Sequence, residues 1–265
     1  MEKEFTLDKQ LLTARLQRRL CLSEHAQCYH LEFSIDELSH FDFVPGQFIS
    51  CVAVDDRGKT QTRAYSIASA PRANMLDLCV NRVQDGFFSN FLCNLEIGKT
   101  IQFHGPYGFF TLRKPLTDGI MIATGTGIAP ILGFVQYLFP DVGEDRSEGR
   151  KFWLVYGTRH ETGIYYKKYF EKVASERHNF HYVPTLSRPH EGWKGLRGYV
   201  QDHVADILTR RESETHSASV PTTSEDAAFD IHAYICGLNN MVSGNRDRLK
   251  ERGWQRKQII FERYD

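Results

Sequence analysis

The sequence predicts a two-domain β plus α/β protein, in which an antiparallel Greek-key β-barrel is followed by a parallel α/β sheet. The chain has 265 residues, which is more than a single compact domain usually contains. Residues 1–115 consist mainly of short strand-like runs, and from residue 119 apolar strands alternate with helical segments. The polar segment RKPLTDG separates the two patterns, so we place the domains at residues 1–115 and 116–265.

Six runs rich in β-branched or aromatic residues predict the strands of the first domain. In chain order they are LLTARLQR, QCYHLEFS, GQFISCVAV, RAYSIA, MLDLCVNRV and KTIQFHG. The turn-forming stretches VPGQ, DDRG and EIGK lie between strands, and FFSNFLCNL predicts one short helix. Six strands at this spacing are typical of an antiparallel barrel.

The second domain alternates apolar strands with helical segments. The strands are GIMIAT, KFWLVYG, NFHYVP, HAYICG and KQIIFERY. The helices are PILGFVQYLF, GIYYKKYFEKVASE, YVQDHVADILTRR and NNMVSGNRDRLKER. Because parallel neighbours need a crossover connection, usually a helix, this alternation predicts a parallel sheet covered by helices.

Residues 209–230, TRRESETHSASVPTTSEDAAFD, are nearly free of large apolar side chains. Such a segment buries too little surface to offset its ordering entropy, so we expect a mobile loop there. A regulatory or partner-docking loop is the alternative.

The composition excludes several classes of protein. Lys+Arg and Asp+Glu both number 33, and neither domain has an excess of either sign, so nucleic acid is not expected as a partner. We find no secretory signal and no run long enough to span a membrane, and we expect a cytoplasmic protein. The six cysteines form no C-x-x-C and no zinc or iron–sulfur spacing, so no metal site is expected.

A glycine-rich loop follows the first parallel strand. In GIMIATGTGIAP, Gly125 and Gly127 permit a tight turn, and a helix begins at Ile128. Such a loop directs helix N–H groups at an anion, typically a phosphate. Pro130 stands where G-x-G-x-x-G has its third glycine, and no Gly-Lys-Ser/Thr follows, so this is not a P-loop.

The stretch RAYSIASAP suggests a surface that holds a ligand. Arginine pairs with phosphate, tyrosine offers a flat face for stacking, and serine supplies a hydroxyl group. A planar, anionic, aromatic ligand would use all of Arg63, Tyr65 and Ser66. An edge strand with an exposed arginine is the alternative.

These motifs resemble those of the ferredoxin–NADP reductase family of flavoenzymes, in particular the bacterial-type ferredoxin/flavodoxin–NADP reductases. The resemblance spans nearly the whole chain and occurs in family order. It rests on VPGQF, RAYS, DGFFS, GPYGFF, GTGIAP, YGTR, LSRP and ICGLNNM. It implies a flavin-binding barrel and a nicotinamide-dinucleotide-binding α/β domain.

The resemblance implies roles for the barrel residues. Arg63 would pair with the flavin phosphates, Tyr65 would stack on the isoalloxazine, and Ser66 would hydrogen-bond near N5. FAD is expected rather than FMN, which some relatives use. The remaining expected flavin contacts are the backbone near Cys79 and Val80, at the polar edge of the ring, and Gly86 and Ser89, at the phosphates. From the residues alone, Ser89 could instead cap the short helix.

The resemblance also implies where the nicotinamide dinucleotide binds. Gly125, Thr126 and Gly127 would cradle its pyrophosphate, and Cys236 and Gly237 would lie beside the nicotinamide. The arginines and serine expected at the ribose 2′-phosphate are Arg159, Ser187, Arg188 and Arg197. They favour NADP(H) over NAD(H).

The C-terminal FERYD is a departure from the family pattern. Several members end in an aromatic residue that covers the flavin, whereas here Tyr264 is followed by Asp265. We expect the residues nearest the chemistry to be Tyr65, Ser66, Cys236 and Tyr264.

The implied activity is hydride transfer between NADPH and FAD N5, coupled to transfer of single electrons to or from ferredoxin or flavodoxin. One alternative is an NADH-dependent reductase component of an oxygenase system. Another is an electron-transfer subunit without free nicotinamide turnover, and a ligand-free structural protein ranks below both.

Overall fold

Two six-stranded sheets organise the chain, the first antiparallel and the second parallel. The structure, a computed structural model, describes residues 10–217 and 230–264. The antiparallel sheet followed by a parallel one confirms the predicted fold class. The division predicted at residue 115 lies between the last strand of the first sheet and the first strand of the second, at Tyr107 and Asp118.

The antiparallel sheet has the strand order β4-β3-β6-β1-β2-β5. Its strands are β1 (Leu12–Ser23), β2 (Cys28–Ser34), β3 (Phe48–Val54), β4 (Thr60–Ser66), β5 (Met75–Asn81) and β6 (Thr100–Tyr107). Helix α1 (Phe87–Asn94) lies between β5 and β6. An isolated bridge between Ile67 and Leu78 joins the two edge strands, and Ala68 N–H donates to the Asp77 carbonyl at 2.7 Å. This bridge closes the sheet into the barrel.

The barrel encloses an apolar core because its strands alternate inward and outward residues. Leu31 and Phe33 of β2 are fully buried, as are Ile49 of β3 and Phe103 of β6. Burial of each of these side chains stabilises the fold by about 1.5–3 kcal/mol. The barrel therefore forms a rigid support for residues at its rim.

The parallel sheet has the strand order β10-β9-β8-β7-β11-β12. Its strands are β7 (Asp118–Thr124), β8 (Phe152–Thr158), β9 (Phe180–Leu186), β10 (Leu196–Arg197), β11 (Ile231–Leu238) and β12 (Ile259–Tyr264). The helices are α2 (Ile128–Leu138), α3 (Lys167–Glu176), α4 (Val200–Ser217) and α5 (Asn239–Glu251). The order reverses direction between β7 and β11, and open α/β sheets bind ligands at such a switch point.

One prediction about the second domain is wrong in part. Residues 209–217 of the predicted loop are helical, since α4 continues to Ser217. Polar contacts hold this end of the helix in place of apolar burial. Arg211 lies 3.1 Å from a carboxylate oxygen of Asp118, and Arg252 donates to the Thr209 hydroxyl at 2.8 Å. Residues 218–229 of the predicted loop lie outside the described residues.

The two sheets pack against each other through α2 and through a polar contact. At Gly133 of α2, an added Cβ would lie only 2.7 Å from the Ser69 carbonyl oxygen of the barrel. Nearby, His30 Nδ1 and the Tyr166 hydroxyl are 3.0 Å apart. The helix can approach the barrel backbone this closely only because residue 133 has no side chain.

We predict that Gly133→Ala destabilises the protein by about 1–3 kcal/mol, because the methyl group forces the helix away from the barrel. This loss outweighs the gain of up to about 1 kcal/mol that alanine brings to a helix interior. The measurement is the midpoint of thermal unfolding, followed by circular dichroism.

Gly244→Ala in α5 is the matched control for this prediction. Its added Cβ would meet only the Gln201 side-chain nitrogen, at 3.3 Å, so its midpoint should be unchanged or higher. An unchanged midpoint for Gly133→Ala would contradict the tight packing of α2 on the barrel.

Candidate active site

The carboxyl ends of the parallel strands open into a cleft of about 1020 Å³. Residues after β7, β8, β9 and β11 line it, and the barrel closes one side through His25, Ala26 and Asn81. This cleft thus lies at the topological switch point and between the two sheets. A ligand bound there would touch both domains.

The lining of this cleft suits an anionic ligand with many hydrogen-bonding groups. The described lining residues include Arg159, Arg188, His25 and His160. They include no aspartate and no glutamate. Two buried side-chain oxygens in the lining, Thr124 Oγ1 and Gln201 Oε1, have no hydrogen-bond partner. Buried polar atoms are usually paired, so these two are exceptions that lie in the walls of the cleft.

Glycines shape the floor of the cleft. Gly125 has φ +54°, in the left-handed region, and no atom lies within 4 Å of where its Cβ would be. A ligand can therefore approach the backbone there. Thr126 also lines the cleft, whereas Gly127 is buried beneath it against the Cys236 backbone. Gly237 faces Thr124, and an added Cβ would overlap the threonine hydroxyl.

Three of the four residues predicted at the 2′-phosphate come together at the ends of β8 and β9. Arg159, Ser187 and Arg188 line the cleft, and Arg188 N–H donates to the Arg159 carbonyl at 2.9 Å. Arg197 lies in β10, and its guanidinium donates to backbone carbonyls of residues 190, 191 and 193 at 3.1–3.4 Å. In this structure Arg197 orders that loop and does not line the cleft.

The barrel residues predicted at the flavin meet where the edge strands part. Tyr65 and Ser66 end β4 next to the Ile67–Leu78 bridge, and Cys79 and Val80 follow that bridge on β5. Since the bridge is isolated, the facing edges of the two strands separate beyond it. The end of β4 and the facing part of β5 thus bring an aromatic ring, a hydroxyl and strand backbone to one side of the barrel. Arg63 is exposed on the same strand.

The hydroxyl of Ser66 belongs to a network that joins the barrel to β12. It donates to Glu262 Oε1 at 2.7 Å and accepts from the Tyr264 hydroxyl at 2.7 Å. Glu262 pairs with Cys236 in the register of β12 and β11, and Tyr264 also lines the cleft. The predicted residues Ser66, Cys236 and Tyr264 are therefore adjacent, together with Glu262.

Burial sets the protonation of this network. It raises the pKa of Glu262, and the hydrogen bond from Ser66 opposes the rise only in part. It also raises the pKa of Cys236 well above its ordinary value, with the Glu262 charge adding to the effect. A thiol held protonated in this way is a poor nucleophile, so we expect Cys236 to contribute position and shape.

The loop before α1 is held by the side chain of Ser89. Its hydroxyl accepts from Val83 N–H at 3.0 Å and donates to the Gly86 carbonyl at 3.2 Å. The N-cap residue of the helix is Gly86, and no side chain caps the helix. The alternative that Ser89 caps the helix is therefore wrong. The groups that remain for a phosphate are the backbone N–H groups of the first helical turn.

Comparison with known proteins identifies the family. The model of the oxidoreductase FAD-binding domain matches residues 13–112, and that of the oxidoreductase NAD-binding domain matches residues 121–247. Ferredoxin–NADP reductase B of Sorangium cellulosum (strain So ce56) is 36% identical over 239 residues, covering 89% of this chain and 91% of its own. The chain belongs to the ferredoxin–NADP reductase family.

Two further relatives mark the range of the similarity. The electron transfer component of 2-halobenzoate 1,2-dioxygenase from Burkholderia cepacia is 29% identical over 87% of this chain, which spans 61% of that protein. The structure of ferredoxin–NADP⁺ reductase from Plasmodium falciparum with 2′P-AMP superposes with a TM-score of 0.74 at 23% identity, covering 97% of both chains. The latter similarity concerns the fold.

As a member of this family, the chain is a flavin-dependent NAD(P)H oxidoreductase with FAD and a nicotinamide dinucleotide as its cofactors. The expected cofactors are thereby confirmed. Within the described residues, no helix is long and apolar enough to cross a membrane. No group of three or more metal-ligating side chains is found in the same part of the chain.

Several residues of this reductase site were missed by sequence reasoning. Glu262 looks like an ordinary polar residue of an edge strand, and only the approach of the two sheets places it against Ser66. Tyr165 donates to the Asn81 side chain at 3.3 Å, and both line the cleft from different domains. Such contacts between distant segments leave no local signal in the sequence.

We predict that Glu262→Gln stabilises the reductase at neutral pH and has little effect at low pH. The folded-state pKa of Glu262 is raised, so its contribution to stability is fully present below the unfolded-state pKa and is lost as the pH rises. Glutamine keeps an acceptor oxygen for Ser66 and removes the buried charge. The test compares unfolding midpoints of the two proteins from pH 4 to 8. A constant difference across this range would contradict the prediction.

Proposed function

We propose that the reductase transfers hydride between NADPH and FAD N5, and single electrons between FAD and ferredoxin or flavodoxin. The observation that carries this proposal is the position of Tyr264. It lines the dinucleotide cleft and also donates to the hydroxyl of Ser66 at the barrel edge. The cleft therefore leads directly to the residues assigned to the flavin.

On the barrel, we assign the isoalloxazine to the end of β4 and the facing residues of β5. Tyr65 would stack on it, Ser66 would lie near N5, and backbone at Cys79 and Val80 would meet its polar edge. When bound, the flavin supplies the redox chemistry, because it exchanges a hydride with nicotinamide and single electrons with a carrier. Arg63 would pair with its phosphates, together with the N–H groups at the start of α1.

On the parallel sheet, the residues of the cleft bind and orient the dinucleotide. Gly125 and Thr126 would hold the pyrophosphate at the end of β7, and Gly127 would support them from beneath. Gly237 and the buried Cys236 would determine how far the nicotinamide ring enters the cleft. Tyr264 already occupies the end of the cleft, so its ring would have to move for the nicotinamide to reach the flavin. Catalysis then consists mainly of positioning.

NADPH is preferred to NADH because of the charges at the ends of β8 and β9. A carboxylate is the usual ligand of the unphosphorylated ribose, and no described residue of the cleft lining carries one. Arg159, Arg188 and the hydroxyl of Ser187 suit a 2′-phosphate instead. Arg197 would contribute indirectly, by ordering the loop at residues 190–193.

The proposed partner is a ferredoxin or flavodoxin, and the proposed location is the cytoplasm. The similar reductases of Sorangium cellulosum and Synechocystis carry ferredoxin in their names. The Burkholderia cepacia dioxygenase component supports an NADH-dependent oxygenase reductase as the second candidate. An electron-transfer subunit without nicotinamide turnover is less favoured, since the dinucleotide cleft is fully formed.

The test of this proposal is anaerobic stopped-flow spectroscopy of the flavin-loaded protein. Bleaching of the flavin by NADPH much faster than by NADH supports the proposal, and turnover with ferredoxin or flavodoxin should then follow. Faster bleaching by NADH would favour the oxygenase reductase. Absence of bleaching by either would favour the electron-transfer subunit.

We predict that Arg188→Ala lowers kcat/KM for NADPH about 10- to 100-fold, the effect of losing one charge-assisted contact with phosphate. The value for NADH should change by less than about twofold, because NADH has no 2′-phosphate. Steady-state kinetics with a dye acceptor measure both values.

Arg150→Ala is the matched control, since Arg150 is an exposed arginine before the opposite, amino end of β8. It should leave both values unchanged. Equal losses with NADPH and NADH in Arg188→Ala would contradict a role at the 2′-phosphate.

A further inference from the structure

The hairpin between β1 and β2 presents a histidine to the dinucleotide cleft. Its turn is fixed by hydrogen bonds from Gln27 N–H to the Glu24 carbonyl and from Ala26 N–H to Ser23 Oγ, both 3.2 Å long. Arg82 N–H donates to the Gln27 carbonyl at 3.0 Å and ties the turn to the end of β5. His25 at the tip of this turn is exposed and lines the cleft.

A second histidine faces it from the other domain. His160 follows β8, lines the same cleft, and its ring centroid lies 6.5 Å from that of His25, with the rings nearly perpendicular at 86°. His160 Nδ1 is 3.0 Å from the carbonyl oxygen of Arg188. Because a carbonyl can only accept, Nδ1 carries the proton. Nε2 is therefore an acceptor in the neutral ring and becomes a donor on protonation.

We propose that His25 and His160 form a two-histidine clamp, which binds a phosphate group of the nicotinamide dinucleotide from both sides of the cleft and tightens on protonation. This proposal rests on the proposed function, because it takes the ligand of the cleft to be a nicotinamide dinucleotide. Its phosphate could be the pyrophosphate or the 2′-phosphate. Both are anions that accept hydrogen bonds from imidazolium.

The surroundings of the pair make its protonation depend on the ligand. The other charged or titratable groups near it are Glu24, Arg82, Tyr165, Arg159, Glu161, Arg188 and His190. Glu161 is paired with Lys167 and His190, and Arg82 donates to Asn90. If both rings were protonated, they would repel each other and the two arginines of the lining, and an anion bound between the rings would offset that repulsion.

Phosphate binding is therefore coupled to proton uptake. By linkage, the affinity of the cleft for the dinucleotide then rises as the pH falls. An arginine in place of His25 would keep the charge at every pH and would remove its share of this dependence. A histidine with a purely structural role would not make the affinity for the dinucleotide depend on pH in this way.

The test is isothermal titration calorimetry of the flavin-loaded full chain with NADP⁺ and with NAD⁺, at pH 6.5 and 8.5. We expect His25→Gln to raise the Kd about three- to tenfold at pH 6.5 and less than about twofold at pH 8.5. His25→Arg should bind tightly at both pH values. Titration of the ligand's own phosphate is common to all variants and cancels in the comparison.

His178→Gln is the matched control, because His178 is exposed near the amino end of β9 and does not line the cleft. It should match the wild-type protein at both pH values. A His25→Gln effect with both dinucleotides would assign the clamp to the pyrophosphate, and an effect with NADP⁺ alone would assign it to the 2′-phosphate.

Two outcomes would overturn the clamp. Wild-type Kd values for His25→Gln at pH 6.5, or a pH dependence retained in full by His25→Arg, would refute it and leave the proposed function intact. Failure of the wild-type protein to bind either dinucleotide would refute both. Unfolding midpoints of all variants separate loss of binding from loss of fold, and His25→Arg supplies a second test if His25→Gln is unstable.

Discussion

The hydrogen bonds of Ser66 with Glu262 and Tyr264 are the interaction on which the site depends. Ser66 ends the edge strand of the barrel, and the other two residues belong to the last strand of the parallel sheet. Both contacts are 2.7 Å long and link residues almost 200 positions apart in sequence. They fix the end of β4 in one domain against the cleft of the other, so the residues on the two sides of this contact keep one relative position.

The topology of the parallel sheet gathers the glycine loop and two arginines in the lining of that cleft. Strands β8 and β9 lie to one side of β7, and β11 lies to the other, so loops from both directions meet at the end of β7. One edge of the sheet thus receives the glycine loop, the arginines and Gly237. A long ligand such as a dinucleotide matches this extended arrangement better than a compact one does.

The sequence predicted the fold class, the family and the order of the elements, because periodicity and motifs are local signals. It failed at residues 209–217, where ion pairs such as Arg211 with Asp118 order a segment that lacks apolar side chains. It also missed β10, which has two residues and no periodicity to detect. The roles of Arg63, Gly86 and their neighbours remain predictions, whereas Glu262 and His25 could be found only once the domains were placed together.

Glu262 is where stability and function make opposing demands. A buried carboxylate costs free energy, and the single hydrogen bond from Ser66 offsets only part of that cost, so the pKa of Glu262 is raised. The same shift means that the carboxyl group can hold a proton at higher pH than an exposed glutamate can. In the proposed function Ser66 lies near the flavin, so Glu262 would be placed to carry a proton beside it. A glutamine at this position would fold more favourably and could not do so.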